Sequence, residues 1–361
     1  MRTEELAKRE LIPLLKMNDG RTVTKELWPE RYAELKHILE QHIYGITPPA
    51  TRARFSKVSV DDQLWYAGKV RKYELAVTMD IGDGSHTFPL HLFIPHKVKN
   101  PPVFLHIAFR RALPDRYSPI EEITDNGFAF ALFCYEDVVN DHSFGDYSDG
   151  VGKLTIHGAR RRDEWGKIGM WAYAASRCLD VLEDLGEVDA TKVAVVGHSR
   201  LGKTALWCGA LDDRFWATLS NDSGFGGAAI AKHGNGERVI DFLRAGSWEW
   251  YCEQFKEYIG KEDELPYDQH MLLAMVAPRL LYIASAEEDH GADPASEFLS
   301  ACAASEVWEL LGEKGMVAPD RMPVVNDYFG EGNIGHHLRP GRHSFSREDW
   351  NYYFKFLKSK M

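Results

Sequence analysis

Five short, almost wholly apolar runs that never alternate constrain the fold most: residues 103–107 (VFLHI), 128–133 (FAFALF), 193–196 (VAVV), 216–219 (WATL) and 280–284 (LLYIA). A strand with one wet face alternates apolar and polar residues. A run that is apolar throughout must bury both faces, as strands of a helix-covered parallel sheet do. Helical segments lie between the runs, the clearest over 165–185, where apolar residues recur at three- and four-residue spacing. Upstream, Tyr73-Glu-Leu-Ala-Val-Thr-Met79 and Leu90-His-Leu-Phe-Ile94 do alternate, which predicts antiparallel strands. The pattern predicts a mostly parallel α/β sheet with helices on both faces, a three-layer αβα sandwich. Residues 1–50 are polar, helical in pattern and end in Thr47-Pro48-Pro49, so an N-terminal helical arm is expected to pack on one domain spanning 51–361.

The most informative junction is Val193-Ala-Val-Val-Gly-His-Ser-Arg-Leu-Gly-Lys203. A buried strand ends, a helix rich in Ala and Leu begins, and Ser199 sits between Gly197 and Gly202. A nucleophilic serine on such a turn needs small neighbours, because the backbone folds back on itself. The helix N-terminus adds free N–H groups that favour an oxyanion. This nucleophile elbow turns the sandwich into a predicted α/β-hydrolase fold, although the second glycine falls one residue later than in G-x-S-x-G. Serine together with glycine could equally serve tight packing alone.

In this fold the triad runs Ser, acid, His along the chain. Among fifteen histidines, His336, His337 and His343 lie late enough. The turn Arg339-Pro-Gly-Arg-His343 just before a helix predicted over 346–357 favours His343. The acid has two candidates. Asp289 follows the 280–284 run in an acidic loop with Glu287, Glu288 and Asp293 as neighbours. Asp222 follows the strand after the elbow helix, where it could instead bond its own turn. Asp289 is favoured as the partner of the histidine Nδ1.

Other features narrow the function. Forty-three Lys and Arg stand against 54 Asp and Glu, a net charge of −11, so no nucleic-acid partner is expected. No stretch reaches the roughly 20 apolar residues of a membrane span, and residues 1–10 lack an apolar run. Five scattered cysteines read as mostly buried free thiols. These features point to a cytoplasmic protein with no membrane partner. No HExxH or comparable spacing suggests a metal, and no cofactor is expected. Arg110 and Arg111 read as loop charges, while Trp248, Trp250 and Tyr251 could line a cleft or pack a helix. The sequence sets no oligomeric state.

At these motifs the chain resembles the glucuronoyl esterases, carbohydrate esterase family 15, and bacterial relatives labelled acetyl xylan esterases. The resemblance covers about residues 100–355 and rests on Gly197-His-Ser-Arg-Leu-Gly-Lys203, Asn221-Asp-Ser-Gly-Phe-Gly-Gly227, Leu265-Pro-Tyr-Asp-Gln-His270, Ala277-Pro-Arg279 and Arg339-Pro-Gly-Arg-His343. The displaced glycine is typical of that family. The resemblance implies Ser199 as nucleophile, His343 as base, Arg200 as oxyanion ligand and Lys203 as a ligand of uronate hydroxyls. It also implies an acid at either Asp222 or Asp289. Bacterial relatives commonly carry E-D-x-W-A-D-P, with the tryptophan against the sugar, and this chain has Gly291 there. The expected activity is hydrolysis of a small-molecule or oligosaccharide ester through an acyl-enzyme, with a uronic acid ester as first choice. The alternatives are a sugar-acetyl or general carboxylesterase, or an inactive sugar-binding protein on the same fold.

Overall fold

The computed structural model describes residues 1–142 and 145–361. Ten strands form one sheet: β1 (Arg54–Asp61), β2 (Val70–Ile81), β3 (Gly84–Pro95), β4 (Val103–Ala108), β5 (Ala129–Cys134), β6 (Val193–His198), β7 (Ala217–Asn221), β8 (Leu280–Ala286), β9 (Tyr328–Phe329) and β10 (Ile334–Arg339). Their order is β1-β2-β3-β5-β4-β6-β7-β8-β10-β9. The alternating segments pair antiparallel, β1 with β2 and β2 with β3, whereas β4 through β8 and β10 run parallel. The five apolar runs form these central parallel strands, except that Phe128 and Trp216 lie one residue before β5 and β7, and every residue of β4, β5, β6, β7 and β8 is buried.

The double burial shows in how neighbouring side chains divide. On β4, Leu105 and Ile107 join the larger core, while Phe104 and Ala108 join a second core on the opposite face. Helices Lys167–Leu185 and Arg200–Leu211 cover the first face, and the C-terminal helix Arg347–Lys358 covers the second. The fold class read from the sequence is therefore the one observed.

The boundaries differ in places. Of residues 1–50, only Arg2–Ala7 and the stretch from Trp28 to Tyr44 are helical; the connection between them, with Pro13 and Gly20, is irregular. It is nevertheless anchored. Leu14, Met17, Leu35 and Leu39 enter the larger core, and buried Arg31 donates to the carbonyls of Pro13 and Leu14. The long helix starts at Lys167 rather than 165, because Gly166 caps it where a Cβ would lie 2.2 Å from the Trp250 carbonyl oxygen. The C-terminal helix starts at Arg347, capped by Ser346 in a reciprocal bond with Asp349. Four cysteines are buried and Cys302 is partly exposed, all free. No helix among the described residues is long and apolar enough to cross a membrane.

Candidate active site

β6 runs straight into the helix Arg200–Leu211 through Ser199, whose φ of 58° and ψ of −128° no ordinary L-residue adopts without strain. Such strain persists only where the surroundings impose it. Here the Ser199 N–H donates to the Asn221 carbonyl of β7 at 2.9 Å, and the Ser199 carbonyl accepts from the N–H of Gly202 and Lys203 at 2.8 and 3.1 Å. Gly197 is sterically required, and Gly202 is tightly packed. A Cβ on Gly197 would sit 2.0 Å from the Leu201 carbonyl oxygen. One on Gly202 would come within 3.0 Å of Ser220 Oγ and 3.1 Å of the Asn221 carbonyl oxygen. The displaced glycine therefore marks where the first turn of the helix presses on the end of β7.

His343 and both candidate acids converge on this turn. His343 Nδ1 bonds Asp289 Oδ2 at 2.5 Å, which leaves Nε2 as the ring nitrogen open to a hydroxyl. Ser199, Asp222, Asp289, Gly291 and His343 all line one hollow of about 150 Å³. Among the described residues no hydrogen bond yet joins Ser199 Oγ to the imidazole; such bonds are often long in unliganded sites. Burial alone would raise Asp289, but the hydrogen bond and charge of His343 outweigh it and hold the carboxyl below the usual carboxylate range.

Asp222 is also close, since one atom each from Asp222, Asp289 and His343 lies within 4.8 Å of the other two. Its Oδ2, however, accepts from Arg339 Nη2 at 2.9 Å, and burial pushes this carboxyl well above its ordinary value against the pull of that arginine. These three groups could together reach a cation. The other two late histidines are internal. His337 is buried between Tyr282 and Asp349, and buried His336 packs on Phe298.

A second hollow of about 410 Å³ shares Ser199, Lys203 and Glu237 with the first. Arg200 pairs with Asp141 there, and its guanidinium lies 4.4 Å over the Trp250 ring. Trp250 Nε1 donates to Asp141 Oδ1 at 2.6 Å. Lys203 Nζ donates to the Ser223 carbonyl at 2.6 Å and reaches Glu237 at 3.5 Å; burial lowers its pKa, opposed by Glu237. The aromatic trio divides: Trp250 lines the cleft, Tyr251 is wholly internal, and Trp248 stacks under Lys256. Arg110 and Arg111 are paired with Asp115, Asp137 and Glu136.

Several site residues escape sequence reasoning. Asp141 and Glu237 sit in unremarkable loops and meet the elbow only in space. His198 has a partial signal, being adjacent to Ser199. Its ring lies 4.5 Å from that of His343 and its Nδ1 bonds Asn221 Oδ1 at 2.6 Å. Burial, then the charge of His343, depress it to about 3, so it stays neutral. Glu297 lies behind the wall. One oxygen accepts from the N–H of Ser223 and Gly224 at 2.8 and 2.9 Å, the other from Ser285 Oγ at 2.6 Å.

Comparison with known proteins places this geometry in context. The family profile described as "Glucuronyl esterase, fungi" matches residues 77–312. The protein called carbohydrate esterase MZ0003, from an unknown prokaryotic organism, is 32% identical over 96% of this chain and 88% of its own length. A 4-O-methyl-glucuronoyl methylesterase of Podospora anserina is 27% identical over 82% of this chain, which spans only 59% of that relative. Among solved structures, a glucuronoyl esterase from Solibacter usitatus superposes with a TM-score of 0.88 at 33% identity, covering 97% of each chain.

Proposed function

Since the chain belongs to carbohydrate esterase family 15, the glucuronoyl esterases, we propose that it hydrolyses esters of uronic acids, with Ser199 as nucleophile, His343 as base and Asp289 as the acid. The single observation that carries this reading is the 2.5 Å bond between His343 and Asp289 beside a serine held at a strained strand-to-helix turn.

His343 Nε2 takes the Ser199 proton as Oγ attacks the ester carbonyl. Asp289 holds the ring by Nδ1 and balances the imidazolium. The backbone N–H at the start of the elbow helix and the Arg200 guanidinium face the charge that develops on the carbonyl oxygen. Collapse of the tetrahedral intermediate passes the proton to the leaving alcohol. Water, activated by the same imidazole, then releases the acid. Lys203 and Glu237, an ammonium and a carboxylate on one wall, suit the hydroxyls of a sugar ring, and Trp250 offers it an apolar edge.

A second reading has one specific observation behind it. Gly291 leaves open the wall where relatives carry tryptophan, with nothing nearer to an added Cβ than Asp289 Oδ1 at 3.8 Å. A sugar-acetyl ester, whose sugar is the leaving alcohol, needs less enclosure on that side.

The test is steady-state hydrolysis of benzyl glucuronate and of an acetylated xylo-oligosaccharide by wild type and Ser199→Ala. The uronate ester should be turned over, and the variant should lose several orders of magnitude in kcat. Equal activity of the variant refutes the site. Serine-dependent turnover of acetyl esters alone moves the assignment to the second reading.

A further inference from the structure

The turn that carries His343 is short and exposed, and the histidine side chain itself is 45% exposed. Loops of that kind are ordinarily mobile, whereas proton transfer needs the ring held to a fraction of an ångström. What holds it is the last residue of β10. Arg339 is 4% exposed, and each of its five N–H groups has a use. Nε donates to Asp349 at 3.0 Å. Nη1 donates to the carbonyls of Pro340 and Arg342 at 3.1 and 3.2 Å. Nη2 donates to Asp222 Oδ2 at 2.9 Å and to the Ser344 carbonyl. The carbonyls of Arg342 and Ser344 belong to the residues immediately before and after His343. One planar guanidinium therefore grips the turn on both sides of the base, and two buried carboxylates anchor it from behind.

The backbone of the same strand end holds the acid. The Arg339 carbonyl accepts from the N–H of Glu287 at 2.9 Å, and the Gly341 carbonyl from that of Glu288 at 3.0 Å, which ties down the loop leading to Asp289. Base loop and acid loop thus leave a common support.

We infer that Arg339 is a positioning residue for the hydrolysis: its guanidinium, anchored on Asp349 and Asp222, fixes the turn that presents His343 to Asp289 and Ser199. The inference rests on the triad proposed above. It requires the fork of an arginine, because a lysine in the same place has three donors on one nitrogen and cannot reach three carbonyls and two carboxylates in different directions.

The test measures Arg339→Lys, Asp222→Asn, Asp289→Asn and Ser199→Ala in the full chain, recording thermal unfolding and separate kcat and KM on benzyl glucuronate. A folded Arg339→Lys chain should lose about 10- to 100-fold in kcat, the scale of an ångström-level misplacement. Its KM should stay within about twofold, because Lys203, Glu237 and Trp250 are untouched. Labelling by a fluorophosphonate should slow in parallel. Wild-type kcat in that variant overturns the inference, since a merely structural arginine is replaced by lysine once the fold is intact. If Arg339→Lys does not fold, Asp222→Asn decides. Removing one of the two carboxylate anchors should lower kcat several-fold at constant KM, and an unchanged kcat overturns the inference. A loss as deep as that of Asp289→Asn moves the acid to Asp222 and refutes the triad reading, as does full activity in Ser199→Ala.

Discussion

Replacing Glu297 by glutamine should make the protein more stable at alkaline pH and leave it nearly unchanged in acid. The side chain is fully buried, and its pKa is raised from an ordinary 4.5 to about 7 chiefly by burial, against the bonds from Ser285, Gly224 and Ser223. Each tenfold change in proton affinity is about 1.4 kcal/mol, so ionising this carboxyl costs the folded chain about 3 kcal/mol relative to the unfolded one. The direction follows from the raised value. Stability is full below pH 4.5 and is lost as pH rises through about 7, because the unfolded chain then sheds the proton more readily. Glutamine reproduces the protonated acid. Its oxygen accepts from the N–H of Ser223 and Gly224, and its amide donates to Ser285 Oγ, so no contact is lost. At roughly 2.1 cal/mol/K of unfolding entropy per residue, 361 residues convert 3 kcal/mol into about 4 °C. The assay is thermal unfolding of wild type and Glu297→Gln between pH 4.5 and 8.5. The variant should match wild type near pH 4.5 and melt about 4 °C higher above pH 8. A difference in Tm that does not change with pH would refute the reasoning, as would a variant less stable throughout.

Three further outcomes are expected. At Gly291 an added Cβ meets nothing nearer than Asp289 Oδ1 at 3.8 Å, and in Gly291→Trp burying about 50–80 Å² of apolar sugar face against the indole is worth about 1–2 kcal/mol; KM for benzyl glucuronate should fall about 5- to 30-fold, and an unchanged or higher KM removes Gly291 from the specificity argument. Lys203→Met should raise KM for benzyl glucuronate by about tenfold or more, through loss of a charged hydrogen bond, with little effect on acetyl esters; equal effects on both would mean that Lys203 holds the loop at Ser223 rather than the sugar. Gly202→Ala places a methyl group 3.0–3.1 Å from Ser220, Asn221 and Ser223, so the elbow helix or the end of β7 has to give by a few tenths of an ångström; about 1–3 kcal/mol of stability and part of kcat should go together, read by melting and by turnover, and a variant equal to wild type in both would show that the junction absorbs the methyl.

The sequence was most legible where a property is local. Whether a strand is wet on one face or on neither is written in its own residues, so the antiparallel first three strands and the buried parallel strands could be separated before any packing was known. The elbow was legible for the same reason: a strand, a serine between close glycines and a helix are consecutive. His343 was singled out because the turn and the helix cap that follow it are adjacent to it. The choice of acid was legible only in part. Chain order favours Asp289 over Asp222, but both are carboxylates on loops after strands, and neither stretch by itself records an imidazole more than 50 residues away. In the folded chain His343 Nδ1 meets Asp289, while Asp222 Oδ2 accepts from Arg339. The same holds for Asp141 against Arg200, separated by 59 residues, and for Glu237 against Lys203, separated by 34. Periodicity records only whether a side chain is buried. Which buried or cleft-facing polar groups become partners is settled by the sheet order and by loops closing over it, because each such group must find a donor or acceptor among whatever neighbours the packing supplies. The chain's own residues thus determined the sandwich and the elbow, and tertiary packing paired His343 with Asp289 and Asp222 with Arg339 and built the cleft.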